Sequence, residues 1–417
     1  MDVADLSALR PRFPALAREL DGRPCVFADA PGGSQVPDTV LQAMQGYLVR
    51  SNSNTHGTFA TSRETDELIA GARRAAADLL NAEPGEIVFG PNSTSLLFAI
   101  SRSIGRTLGP GDEVVVTRLD HDGNIRPWVM AAQDAGATIR WVDVRDDDLT
   151  IDPGSFDAAL TERTKVVAFT LASNAVGTIT PATDLVRRAR ATEALVCVDG
   201  VQFAPHRAYD VRAIGADLAV CSPYKFFGPH LGVLWARREL LEVWTPYKVR
   251  PASDATPDRW ETGTANHEGL AGFVAAVDYL AQIGATYGGA GGTPDRRSRI
   301  LAAFEAIGAY ERILAQRFLA GIAAMDHVRL YGIGDPARLE ERVPTFAIRV
   351  GEQLPIETTR SLGERGIFTW DGHYYAIELM QRLGLWPEAG GCVRIGLCHY
   401  TSASEVDRIL DELSLLT

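Results

Sequence analysis

Cysteine is scarce in this chain and nowhere paired. Five thiols (Cys25, Cys197, Cys221, Cys392 and Cys398) are scattered over 417 residues, odd in number and without one C-x-x-C pair. That pattern speaks against a disulfide framework and against a thiolate metal site, and predicts buried free thiols in a reducing cytoplasm. Positive charge is also short. Lysine and arginine total 41 against 53 aspartates and glutamates, for a net charge of −12, and no long basic run occurs. Nucleic acid and anionic membrane are therefore not expected as main partners. No stretch approaches the roughly 18 unbroken apolar residues of a membrane span. The opening "MDVADLSALRPRFPALAREL" is acidic from its second residue and helical in pattern, so it does not read as a signal peptide.

What remains is ordinary globular composition, 46% apolar and 23% charged, long enough for a large core and two structural domains. The runs "EVVVTRL" (113–119), "TKVVAFT" (164–170), "ALVCVD" (194–199) and "DLAVCS" (217–222) read as strands. Helical spacing marks 65–82, 128–136 and 183–191. Strand and helix in alternation predict a mostly parallel sheet covered on both faces, with active groups at the carboxyl ends of its strands. Beyond about residue 285 the texture changes. The glycine-rich 284–299 reads as a mobile connection or insertion, followed by a long helix (300–324), strands at 345–350 and 392–400, and a capping box "SASE" (402–405) opening the last helix. The predicted division is a large domain over 26–285, and a smaller α+β domain formed by 286–417 with 1–25.

One stretch raises a chemical question. "CSPYKFFGPHLG" (221–232) puts Lys225 just past a buried strand, where an ammonium needs a partner. Asp199 closes the neighbouring strand, and Gln202 lies three residues on. A lysine amine beside a carboxylate suits pyridoxal phosphate (PLP): the amine meets the cofactor's aldehyde, and the carboxylate keeps the pyridine nitrogen protonated. Gln202 is placed for the ring's phenolic oxygen. Desolvation beside aromatics favours the neutral, reactive amine. "FGPNSTSLLFAI" (89–100) sets Ser93, Thr94 and Ser95 at the start of an apolar helix, a site for a phosphate. His121 follows a strand and offers a flat face to a ring. Singly these are weak signs, since Ser93 and Thr94 could be a plain helix cap, His121 a loop histidine and Asp199 a turn residue.

Together they carry a resemblance. The sequence resembles the class V aminotransferases of PLP fold type I, and among them the cysteine desulfurase-like branch. The likeness runs from "VFADAPGGSQVP" (26–37) to the last helix and is strongest at 111–128, 170–181, 196–206, 221–240 and 260–280. It implies an α/β fold with a seven-stranded, mostly parallel sheet and a smaller α+β domain. It implies Lys225 as the Schiff-base lysine, Asp199 on the pyridine nitrogen, Gln202 on the phenolic oxygen and His121 stacked on the ring. Ser93, Thr94, Ser222 and Tyr224 would serve the phosphate, joined by Thr264 from the partner subunit of a homodimer. Arg394 would hold the substrate's α-carboxylate by a two-pronged ion pair, with Asn174 and His373 beside the substrate.

Three departures bear on the reaction. Desulfurases of this branch carry a nucleophilic cysteine in a loop ending Gly-His-His-Cys-Ala. Here that loop is "WDGHYYA" (370–376), so Tyr375 stands in the cysteine's place. Trp370 replaces an arginine, which is expected to narrow the pocket and remove a charge. Tyr224 replaces the histidine before the lysine, a change PLP binding should survive. The expected activity is that of an enzyme on a small α-amino acid, an aminotransferase or a C–S lyase-like enzyme. Tyr375 serves there as an acid or as a packed wall. A desulfurase using another thiol, an epimerase, or a degenerate non-catalytic member stand as alternatives.

Overall fold

The β-branched runs assemble into one seven-stranded sheet. The computed structural model describes residues 3–289, 292 and 295–416. The strands are β1 (Ile87–Gly90), β2 (Glu113–Thr117), β3 (Thr138–Val142), β4 (Thr164–Thr170), β5 (Leu195–Asp199), β6 (Leu218–Cys221) and β7 (Gly232–Ala236), in the order β1-β7-β6-β5-β4-β2-β3. β7 runs antiparallel to both its neighbours, and every other pair is parallel. All residues of β2, β6 and β7 are buried, which is why they show as continuous apolar runs without alternation. Register places Thr170 beside Asp199, and Asp199 beside Val220, so the carboxyl ends of β4, β5 and β6 open at one level.

Helices Ala60–Leu80, Arg126–Ala135 and Ala182–Ala189 form where the apolar spacing places them. The opening segment differs: it makes two 3₁₀ stretches, Leu6–Arg12 and Pro14–Ala17. Pro11 and Pro14 lack the amide hydrogens that an α-helix through this segment would use. Helix His267–Tyr287 is long and apolar enough to span a membrane by length and composition. Yet it packs against helices Asp38–Arg50, Ala60–Leu80 and Arg296–Ala323, with Leu270, Phe273, Val277 and Leu280 buried, as a core helix does.

A second sheet holds β8 (Val328–Tyr331), β9 (Thr345–Val350), β10 (Trp370–Gly372) and β11 (Cys392–Gly396), antiparallel throughout in the order β8-β9-β11-β10. Val26–Phe27 pairs in parallel with Ile367–Phe368, tying the N-terminal segment to this part of the chain. Ser402 and Glu405 form the capping box of the final helix, Ala403–Ser414.

The glycine-rich stretch 284–299 is not a free connection at its ends, because helices His267–Tyr287 and Arg296–Ala323 occupy them. Its centre, residues 290, 291, 293 and 294, lies outside the described residues. Glycine serves packing here. A Cβ on Gly284 would overlap the carbonyl oxygen of Arg299, and one on Gly288 would press on Ala302. Gly284→Ala is expected to destabilise the protein by about 1–3 kcal/mol through overpacking, measured by urea denaturation. A stability equal to that of the parent would show that the helices do not need this approach.

Candidate active site

The carboxyl ends of β4, β5 and β6 open into a cavity of about 1290 Å³. Its inner wall comes from the start of helix Ser93–Gly105 and the loop after β2. Its outer wall comes from segments 354–356, 370–375 and 386–390. Lys225, Asp199, Gln202, Ser93, Thr94, His121, Asn174, Ser222, Tyr224, Arg394, His373 and Tyr375 all line it. Thr264 does not; it is exposed in the segment after the Asp258–Trp260 turn.

Lys225 closes a single 3₁₀ turn, Pro223–Lys225, directly after β6. Its amine donates to the Pro31 carbonyl at 2.5 Å and lies 4.5 Å above the Tyr224 ring. Burial, aided by the Arg394 charge, pushes its pKa down to about 7, against the pull of Asp199 and Asp29. The amine is thus partly neutral at physiological pH. The Pro31 carbonyl also accepts from Gln202 Nε2 at 2.8 Å. Asp199 accepts the Val201 amide at 2.8 Å, and burial raises its carboxyl to about 6 against the pull of that hydrogen bond and of the Lys225 charge.

Behind Asp199 sits a group the sequence reading missed. Asp120 is fully buried and accepts from Thr117 Oγ1 and, at 2.7 Å, from Asn124 Nδ2. Burial, with the charge of Asp199 adding, raises it to about 8. Its place beside His121 in "DHDGN" was the available signal. His121 accepts the Gly123 amide on Nδ1 at 2.9 Å, and burial with the Lys225 and Arg394 charges pushes its pKa to about 3. Its imidazole is therefore neutral. It stacks on the Tyr375 ring at 5.3 Å and 14°.

A cradle for an anion lies at the start of helix Ser93–Gly105. Asn92 caps the Ser95 amide at 2.8 Å, and Ser222 Oγ meets Ser93 Oγ at 3.1 Å. Gly123 keeps this corner open, because a Cβ there would lie 2.8 Å from Thr94 Oγ1 and 2.9 Å from His121 Nδ1. The first amides of the helix have no partner within it and face this space with the positive end of the helix dipole.

Arg394, on β11, is buried and donates through Nη1 to the Asn174 carbonyl at 2.9 Å. Its guanidinium lies 4.5 Å over the Tyr374 ring, and burial lowers its pKa to about 10, still charged at neutral pH. Asn174 Nδ2 donates to the Tyr374 carbonyl at 2.7 Å. Arg394 Nε and Asn174 Oδ1 are buried without a hydrogen-bond partner, as is Oδ1 of nearby Asp29. These groups fit PLP and an amino acid together. The amine suits the aldehyde, Asp199 a protonated ring nitrogen, the helix start a phosphate, the His121 face a ring, and Arg394 a carboxylate.

In the loop over 370–376, Trp370 lines the cavity at its rim, with its indole against Gly32 and 52% exposed. Tyr374 and Tyr375 both take positive φ (50° and 61°). The turn is pinned by the Asp122 amide donating to the Tyr375 carbonyl at 2.7 Å, and by the Tyr375 amide donating to His373 Nδ1 at 3.0 Å. All five cysteines are free and buried, and none lines the cavity. Burial pushes Cys392 up to about 12 and raises Cys197, Cys221 and Cys398 as well.

The sequence profile described as Aminotransferase class-V matches residues 26–288 and 300–409. A probable cysteine desulfurase of Streptomyces coelicolor is 32% identical, over 99% of this chain and 97% of that protein. Probable cysteine desulfurase 2 of Mycobacterium leprae is 33% identical, over 97% and 95%. Among solved structures, the apo cysteine desulfurase of Thermococcus onnurineus superposes with a TM-score of 0.87 at 25% identity, over 100% of this chain and 98% of that one. This chain belongs to the class-V aminotransferase family. It is a PLP-dependent enzyme, with the α/β fold and smaller C-terminal domain of that family.

Proposed function

We propose that this enzyme carries out a C–S lyase-like β-elimination on an α-amino acid, without a thiol of its own. The observation that carries the reading is the combination at one cavity of Lys225, Asp199 and Arg394 with the Tyr375 phenol, while every cysteine lies buried elsewhere. Bound PLP supplies an electron sink that makes the substrate's Cα hydrogen acidic. Arg394 fixes the α-carboxylate, with Asn174 and His373 beside it. Lys225, partly neutral at working pH, accepts the Cα proton. Asp199 would hold the proton on the ring nitrogen, Gln202 would bond the phenolic oxygen, and neutral His121 would cover the ring face. Ser93, Thr94, Ser222 and Tyr224 hold the phosphate. Tyr375 donates a proton to the departing sulfur. Overall, an S-substituted cysteine and one water give a thiol, pyruvate and ammonium; the Cβ–S bond breaks and its electrons leave with sulfur.

Transamination is the second reading, favoured by the family itself. One assay separates the two. With S-methyl-L-cysteine and no added keto acid, elimination continues through many turnovers and releases pyruvate and ammonium. Transamination halts after one turnover until a keto acid is supplied, and that result would overturn the elimination reading.

The absence of a protein thiol from the chemistry has its own test. Replacing all five cysteines by serine or alanine is expected to leave turnover within about twofold of the parent, since none reaches the cavity. A persulfide on the protein during turnover, lost on mutating one cysteine, would restore desulfurase chemistry.

The same reading includes a homodimer, in which exposed Thr264 reaches the phosphate site of the partner. Light scattering should give a dimer, and a PLP-loaded active monomer would refute it. It also places the enzyme in the cytoplasm, in keeping with five free thiols. Fewer than five titratable thiols in the unfolded, unreduced protein purified from its natural source would count against that.

A further inference from the structure

We propose that the substrate's side chain is large and apolar, an aryl or long alkyl group borne on Cβ or on the sulfur attached to it, and that it lies along the outer wall of the cavity. This rests on the amino-acid reading above and adds the substrate class.

The cavity is divided by polarity. Its floor holds Lys225, Asp199, Gln202, Asn174 and Arg394, each with a role toward the cofactor or an α-carboxylate. Its rim carries four large apolar side chains, Leu354, Ile356, Trp370 and Tyr375, 44%, 48%, 52% and 65% exposed, beside Asp371, His373 and Glu388. Four large apolar side chains exposed on this chain around one opening form the kind of patch that marks a ligand groove. A substrate held by its carboxylate at Arg394 and by its amino group near Lys225 has only this outer half left for its side chain.

Charge at the rim points the same way. Among the described residues lining the cavity, the lysine and arginine are Lys225 and Arg394, both on the floor. Asp371 accepts from Thr359 Oγ1 at 3.1 Å, and Glu388 is exposed. Among the described residues no lysine or arginine lines the cavity at its rim; Arg360 lines an adjoining hollow with Ile356, Trp370 and Asp371. Trp370 presents an indole face at the rim. The cavity volume of 1290 Å³ leaves room beyond the cofactor for a ring-sized group.

The test is a titration of the holoenzyme with L-phenylalanine and L-alanine, followed through the cofactor's absorbance. Neither probe carries a leaving group, so binding is read apart from elimination. L-Phenylalanine is expected to bind at least about tenfold more tightly, as a filled apolar pocket gives. Trp370→Ala and Ile356→Ser, both at half-exposed positions, should each reduce that preference by about threefold or more. L-Alanine binding as tightly as L-phenylalanine would overturn this inference and leave the amino-acid reading standing. That is also the result expected if a partner subunit covers the rim. A preference unchanged in both variants would overturn it too. If neither probe altered the spectrum, the amino-acid reading would fall, and this inference with it.

Discussion

Lys225→Ala yields a folded protein that still takes up PLP and turns over no amino acid. The fold should survive because the amine's hydrogen-bond partner is not orphaned: the Pro31 carbonyl keeps the Gln202 amide at 2.8 Å. The cofactor keeps its helix-start cradle and Asp199. What disappears is the only lysine lining the cavity among the described residues, and with it both the covalent hold on the cofactor and the base for the Cα proton. The apoproteins should differ in a pH-dependent way. Folding lowers the Lys225 pKa from 10.5 to about 7, so between these values the unfolded chain binds the extra proton. That burden is full below pH 7 and gone above pH 10.5. The stability of the variant relative to the parent, from urea denaturation, should therefore fall as pH rises from 7 to 10.5. Borohydride fixing the cofactor on another lysine of the parent would overturn the assignment.

Asp199→Asn is expected to lower kcat by about 10²-fold or more while leaving PLP bound. Asparagine keeps the shape and the acceptor for the Val201 amide, now bonded at 2.8 Å. It lacks the negative charge that holds a proton on the ring nitrogen in a buried site, where charge-assisted hydrogen bonds are strongest. The absorbance of the bound cofactor should shift with loss of that proton, a change a structural lesion would not produce. Near-parental kcat in Asp199→Asn would mean that the ring nitrogen points elsewhere.

Much of this was legible before any coordinates. Lys225 past β6, Asp199 at the end of β5 and the Ser93 helix start could be read because buried parallel strands show as unbroken apolar runs, and their ends collect polar residues. β1, β3 and β7 passed unmarked. β3 is only partly buried, so it shows no continuous apolar run. The prolines at 11 and 14 turned an α-helical spacing into 3₁₀ stretches. Glycine at 284 looked like flexibility and is helix contact, a difference that depends on a partner helix not visible locally. Within the site, the Pro31 carbonyl could not be found, since a backbone oxygen has no residue signature. The apolar rim was missed because its residues come from two separate segments, 354–356 and 370–375.

The loop that carries Tyr375 has a consequence for the molecule as a whole. Asn174 and Asp122, both on the large-sheet side, hold its backbone at 2.7 Å each. Close by, Arg118 pairs with Glu378 at 2.8 Å, Arg382 with Asp143 at 2.9 Å, and Arg338 with Asp148 at 2.9 Å. These links cross the seam between the two sheets beside the cavity. Neither part can loosen without breaking them, so thermal unfolding should be a single cooperative event rather than two. A ligand bridging the floor and the rim would then raise the melting temperature of the entire chain.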